Sequence, residues 1–372
     1  MKITCNSEKF AAKFNLAAAY VATRDVKTVL QDVKMDVKAD HVIFSATDTE
    51  TSIRIVLRDI EIGSEGAVII PSRLMKNILQ AAKAENIEFE LNGDILEIHV
   101  GTAFYEIPTL DVSDFPEISP FAGEAYHEVV GADLQKNISR TTFATDMENN
   151  KYALSGVFFE LTDGGIDTVS TDGRRLTHQR GKAVSHGGHQ TENGAIVPLK
   201  ALNAVEKAIN EVGAETTIKI AVEGGKITFV TANDEIMITS RLVDGRFPAW
   251  RKIIPEKTDR VRADVPLNDF QLAVQQMKIM TTESQPGILL NFKPGELVIS
   301  ASGNNSGKSS KPVVIAYDQR EIQTKLDPNF LVDFLRCFSG VTNLSIYLKE
   351  ESSVLFESQQ DDDYAYILMP LA

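Results

Sequence analysis

The 372-residue sequence contains only two cysteines, Cys5 and Cys337. Lying near opposite ends of the chain, they exclude a disulfide framework and a cysteine-built zinc site, and they read as incidental or buried thiols. No stretch approaches the roughly 18 uninterrupted apolar residues of a membrane helix. Met1 to Phe10 also lacks the basic-then-apolar layout of a secretion signal, so a cytoplasmic location is expected. Excess positive charge is missing too: 38 Lys and Arg face 52 Asp and Glu, a formal net charge of −14. That excludes a protein that coats DNA by releasing counterions with many cations. Any engagement with DNA must be loose.

With 43% hydrophobic and 24% charged residues and 13 prolines, the chain can bury ordinary cores and is not of low complexity. Its length exceeds what one core organises, so two or three domains are expected. The choice comes from self-similarity. Three segments place apolar residues at helical spacing behind a proline: PSRLMKNILQAA from Pro71, PLKALNAVEKAI from Pro198 and DPNFLVDFLRCF from Asp327. Proline wastes no hydrogen bond at a first helical position, and Asp327 can cap the third helix. After each comes a strand pair of period two: IEFEL with LEIHV, IKIAV with KITFV, and LSIYL with SVLFE. Alternation puts Ile87, Phe89 and Leu91 on one face, which predicts half-buried antiparallel hairpins. A further strand closes each unit: AFYEIPTL, EIMITSRLV and YAYILMPL.

An earlier helix completes the comparison. Phe10, Phe14 and Ala17 match Leu134, Ile138 and Thr141, then Phe270, Val274 and Met277, each at i, i+4, i+7. The expected fold class is therefore α+β, with three repeats of two helices on antiparallel sheet, at residues 1–121, 126–253 and 254–372. The six helical segments hold eleven Lys or Arg against seven Asp or Glu. One reading is a mildly positive helical surface on an acidic body; the other is that helices simply favour Lys and Arg.

Three local strings are more specific: STDGRRL from Ser170, SRLVDGRFPAWRKIIP from Ser240 and the terminal YILMPLA. Together with the repeat they resemble the β subunit of bacterial DNA polymerase III, the sliding-clamp family, over the whole chain. The resemblance implies three clamp domains that form a ring as a head-to-tail homodimer, with helices lining the hole. It implies a non-catalytic processivity factor without cofactor or metal, which encircles double-stranded DNA independently of sequence. Its partners would be the polymerase III alpha subunit, the clamp loader and other replication and repair proteins.

Matched by string, the pocket for partner peptide tails would use Leu154, Thr171, Gly173, Arg174, Arg175, Leu176, Phe247, Pro248, Lys252, Ile253, Met369, Pro370 and Leu371. Leu176, Ile253, Met369 and Leu371 offer an adaptable apolar slot, and Arg174 and Arg175 suit backbone carbonyls or an acidic residue of the tail. Read without the family, Asp172-Gly173 is a tight turn and YILMPL a closing strand. The resemblance also turns Arg24, Arg73, Lys76, Tyr152 and Lys200 toward DNA, although each equally suits solvated surface. It sets Tyr105 and Ile107 against Ile279 and Met280 of a neighbouring chain, so that no sheet edge stays exposed.

Three features depart from the family pattern. The chain stops at Ala372 without a basic and apolar extension, Lys252 replaces a frequent Arg and so loses its planar fork, and SGNNSGKSSK from Ser302 to Lys311 replaces an often acidic loop. GNNSGKS imitates a phosphate-binding loop, but it is one residue short and leads toward a strand, so a flexible basic loop is expected. His186 with His189, and the run Asp361 to Asp363, lack a third ligand at metal spacing. The remaining rival is an acidic peptide-binding adaptor that never encircles DNA.

Overall fold

The computed structural model describes residues 1–24, 27–81, 83–146, 152–282, 285–303 and 307–371, without the side chains of Tyr152 and Asp362. Helices stand at all six expected places: α1 Ser7–Ala17, α2 Ser72–Ala81, α3 Gly131–Ser139, α4 Leu199–Val212, α5 Leu267–Lys278 and α6 Pro328–Leu335. The Asp327 carboxylate accepts the Asn329 N–H at 2.8 Å and caps α6, as expected. Pro198 is itself the cap residue of α4, and the Pro71 carbonyl accepts the Met75 N–H at 2.9 Å, so these two prolines sit one position earlier than predicted. The nine residues at i, i+4, i+7 are all buried, none more than 6% exposed.

The chain forms two compact units. The first comprises Met1–Ala132, Ala183–Thr191 and Val197–Leu242; the second comprises Asp133–Lys182, Glu192–Ile196 and Val243–Ala372. The middle repeat is thus divided between them, a partition that the sequence periodicity does not show. The cause is sheet pairing across repeats. In the first unit Ile236–Arg241 pairs with Thr51–Leu57, Ile238 opposite Ile53. In the second, Arg175–Gly181 pairs with Asp361–Leu368, Leu176 opposite Ile367. Each junction hides two edges that would otherwise present unpaired backbone groups.

The first unit is built on α1, whose Phe10 stacks on Phe89 at 4.6 Å and meets Phe44 edge-on at 5.2 Å. Burying each ring stabilises the fold by about 1.5–3 kcal/mol. In the second unit Phe334 of α6 stacks on Tyr366 at 4.4 Å. The Tyr364 hydroxyl donates to the Arg140 carbonyl at 3.2 Å, and the Arg140 guanidinium reaches the Asp361 carboxylate at 2.5 Å. Burial works against the charge on Asp361, but hydrogen bonds from Lys136 and Arg140 outweigh it and hold the carboxyl below its ordinary range. The acidic run therefore begins with an ion-paired strand residue.

Two histidines considered as metal ligands have structural roles in the first unit. His189 Nδ1 lies 2.7 Å from Nδ1 of fully buried His127, and its Nε2 accepts the Val222 N–H at 3.0 Å. His186 stacks on Tyr126 with ring centroids 4.9 Å apart. No group of three or more His, Cys, Asp or Glu is placed to hold a metal among the described residues. Burial first, and the neighbouring His127 second, push His189 below its ordinary value of 6.5. The unfolded chain therefore takes up the proton more readily. The stability held by neutral His189 is complete above 6.5 and is lost as pH falls through the depressed folded value. Urea midpoints of the wild type and His189→Gln should consequently converge between pH 8 and pH 5.5. A gap that stays constant would rule this out.

Candidate functional site

All thirteen expected pocket positions belong to the second unit. Leu154, Leu176 and Phe247 share one buried cluster with Phe158, Trp250 and Ile367, and Phe247 stacks on Phe158 at 4.8 Å. This cluster is a buried apolar floor. It includes Trp250, the chain's single tryptophan, which the string match did not single out although it lies inside SRLVDGRFPAWRKIIP. A short 3-10 turn, Trp250–Lys252, carries the chain from that floor to Ile253, which is 41% exposed. Gly245 is required nearby: its φ is +130°, and a Cβ there would stand 2.8 Å from that of Ala153.

The Ser170–Leu176 string is a turn fastened by its own acid. Asp172 Oδ1 accepts the N–H groups of Arg174 at 2.9 Å and Arg175 at 3.0 Å, while the Thr171 hydroxyl donates to the Arg175 carbonyl at 2.6 Å. Gly173 takes φ +89° with open space around it. The turn reading and the pocket reading are therefore compatible. Past the last strand the Met369 N–H donates to the Arg174 carbonyl at 2.9 Å, and the Leu371 N–H donates to the Lys325 carbonyl at 2.8 Å. The chain end is thereby laid alongside the turn. Met369 is 51% exposed, Arg174 and Lys252 are exposed, and Pro248, Pro370 and Leu371 are half-buried.

The two arginines differ in availability. Arg174 is free to face a ligand. Arg175 is 8% exposed and lies over the Phe330 ring at 4.3 Å. Its guanidinium donates to Asp172 at 3.0 Å, to Asp333 at 2.9 Å and to the Phe143 carbonyl at 2.7 Å. Expected as a tail contact, it instead holds the turn from beneath. Beside Leu371 lies a cavity of about 590 Å³, open between Gly287, Leu289, Ser300, Lys308 and Lys325. Of the Ser302 to Lys311 segment, expected as a flexible basic loop, Ser302 and Gly303 end the strand Glu296–Gly303, residues 307–311 begin its paired strand Gly307–Val314, and positions 304–306 lie outside the described residues.

Four of the five expected DNA-facing residues belong to the first unit. Lys200 and Lys207 of α4 stand 6.0 and 5.7 Å from the Tyr20 ring, and Lys76 of α2 donates to the Ala18 carbonyl at 2.9 Å. Burial first, then the charge of Lys207, hold Lys76 below the ordinary lysine value. Arg24 and Arg73 are exposed and form no ion pair among the described residues, whereas Lys200 is paired with Asp48. The Tyr152 side chain lies outside what is described. Lys13 of α1, counted in the helical charge, is taken up by Glu211 and Glu235.

Tyr105 and Ile107 lie on Ala103–Pro108, the last strand of the five-stranded sheet. Ile107 is only 3% exposed, so it supports that edge from the core, while Phe104 is 50% exposed on the other face. Ile279 is 79% exposed just past α5, and Met280 is half-buried beside it.

Sequence models for the N-terminal, central and C-terminal domains of the DNA polymerase III beta subunit match residues 1–119, 128–249 and 251–372. The chain belongs to that family. Its members are sliding clamps, non-catalytic accessory subunits of the polymerase that work with DNA and replication proteins. The beta sliding clamp of Pseudomonas aeruginosa is 25% identical over 100% of both chains. The structure of a P. aeruginosa clamp bound to griselimycin superimposes with a TM-score of 0.92 at 24% identity, covering 100% of this chain and 99% of that one. The Bacillus subtilis clamp gives 0.91 at 20% identity over 100% and 99%.

Proposed function

We propose that two copies of this clamp-family chain close head-to-tail into a ring around duplex DNA. The ring slides in the cytoplasm and tethers the polymerase III alpha subunit, the clamp loader and other replication and repair proteins. The observation that carries this reading is the placing of Lys200 and Lys207 at the Tyr20 ring and of Lys76 at the Ala18 carbonyl two residues before it, with Arg24 and Arg73 exposed, on a chain of net charge −14. So few cations meet phosphates without gripping them, and the acidic remainder repels DNA. Retention then comes from topology. The three ring segments are assigned to residues 1–121, 126–253 and 254–372. The seam is assigned to the strand of Tyr105 and Ile107 against the region of Ile279 and Met280 in the partner.

Partner tails are assigned to the rim above the Leu154, Leu176 and Phe247 floor, with Met369, Leu371 and Ile253 as apolar contacts and Arg174 as the polar one. Thr171, Gly173, Arg175, Pro248 and Pro370 shape it, and Lys252 stands at its border. A few buried apolar anchors suit exchangeable binding near the micromolar range. The decisive experiment loads the chain on nicked circular DNA with a clamp loader and then linearises the circle. Release on cutting is expected. Protein that remains on linear DNA would refute encirclement, and an adaptor that never encircles DNA would not be retained on the intact circle.

A further inference from the structure

The cavity beside Leu371 is built on one face of a sheet. Four strands, Gly307–Val314, Glu296–Gly303, Ile288–Lys293 and Ile322–Leu326, lie side by side in that order. Register places Lys325, Leu289, Ser300 and Ser310 in one row across all four, and Ser302 opposite Lys308 in the next row of the same face. Their chain neighbours Ile288, Leu290, Ile299 and Leu326 are buried in the core, so strand alternation turns these rows to the outer face.

The chemistry of that face is one-sided. One lysine stands on each marginal strand, serine hydroxyls lie between them, and Leu289, 37% exposed, adds an apolar patch. No carboxylate is among the described residues that line the cavity, although the chain carries a net charge of −14. Lys308 and Lys325 are exposed and form no ion pair among the described residues. Ammonium and hydroxyl donors without an internal anion make a place for one, and about 590 Å³ is within the roughly 300–1,000 Å³ of ligand sites. The cavity also adjoins the rim proposed for partner tails. A Cβ on Gly287 would stand 2.7 Å from both Leu371 Cδ1 and Lys325 Cε, so Leu371 reaches the cavity wall.

We propose that this cavity receives acidic side chains flanking the apolar anchors of a partner tail, with Lys325 and Lys308 as their cations and Ser300, Ser302 and Ser310 as hydroxyl donors. The inference rests on the tail-site reading above and names the partner chemistry that site prefers. Charge complementarity carries it. An acidic segment is repelled by most of a chain of net charge −14, and this lysine-bordered face is a local exception beside the rim. Exposed ion pairs add little affinity. Their effect is to rank partners that share the same apolar anchors, favouring tails with an acidic flank over neutral ones.

The test titrates the full chain with three fluorescent peptides that share one set of apolar anchors. One carries two aspartates before the anchors, one carries two after them, and one has asparagines at both flanks. At low salt one acidic peptide should bind about fivefold tighter than the neutral one, and moderate salt should shrink that advantage. In Lys308→Gln/Lys325→Gln the advantage should fall below about twofold. Both lysines are exposed, so the fold tolerates the change, which circular dichroism checks. Acidic and neutral peptides that bind the wild type equally overturn the proposal and leave the tail site standing. An advantage that persists in the double variant also overturns it, because the acid is then held elsewhere, as at Arg174. Failure of every peptide to bind the wild type overturns the tail-site reading itself, and this inference with it.

Discussion

Arg175→Met is expected to lower the stability of the second unit by about 3 kcal/mol or more, a fall of roughly 6–12 °C in its thermal midpoint. Arg175 is 8% exposed and satisfies three oxygens at once, on Asp172, Asp333 and the Phe143 carbonyl. Methionine fills much of the space over Phe330 but leaves the Asp172 carboxylate, 17% exposed, without its cation. The loss of one partner from a buried charged pair costs more than the pair itself contributes. Because Asp172 also fastens the turn that presents Arg174, tail binding should weaken in parallel. Lysine should rescue only part of the loss, since one ammonium cannot reproduce the three-way fork. Differential scanning calorimetry decides the matter, and a midpoint within about 2 °C of wild type, a shift of less than about 1 kcal/mol, would show that the network carries no weight.

Deleting Met369 to Ala372 should reduce affinity for polymerase-tail peptides by about a hundredfold or more while leaving the dimer intact. Met369 and Leu371 are the apolar contacts that the terminal segment offers, and each is worth about 1.5–3 kcal/mol on full burial, or roughly 10²–10⁴-fold together. The proposed seam lies on other strands, so sedimentation should not change. Met369→Ser is the gentler version: the side chain is 51% exposed, so the fold is insensitive to it, and about a tenfold loss is expected. Peptide titration by fluorescence anisotropy reads both. Undiminished binding by the deletion variant would remove the tail site from this part of the chain.

Much of the local structure was legible from residue spacing. The triples Phe10, Phe14, Ala17 and Phe270, Val274, Met277 lie on helices and in cores because 3.6-residue periodicity constrains which side chains share a face. Asp327 was legible as a cap because its carboxylate needs only the N–H two residues ahead. The identity of the family likewise resided in short strings, since turns such as Thr171 to Arg175 are built from near neighbours.

Other roles depended on distant partners. Which of Arg174 and Arg175 is tied down turned on Asp333 and Phe143, 158 and 32 positions from Arg175 in the chain. Ile107 and Phe104 alternate in sequence either way; only the core beneath them decided which one is buried. The sharing of strands between repeats, which divides the middle repeat between two compact units, also has no signature in a periodic sequence. Sequence by itself determined the helices, the hairpins and the family, because those depend on neighbours three or four residues apart or on a matched string. Only the tertiary structure decided which charges are free and which edges are open, because burial and pairing are properties of what packs alongside.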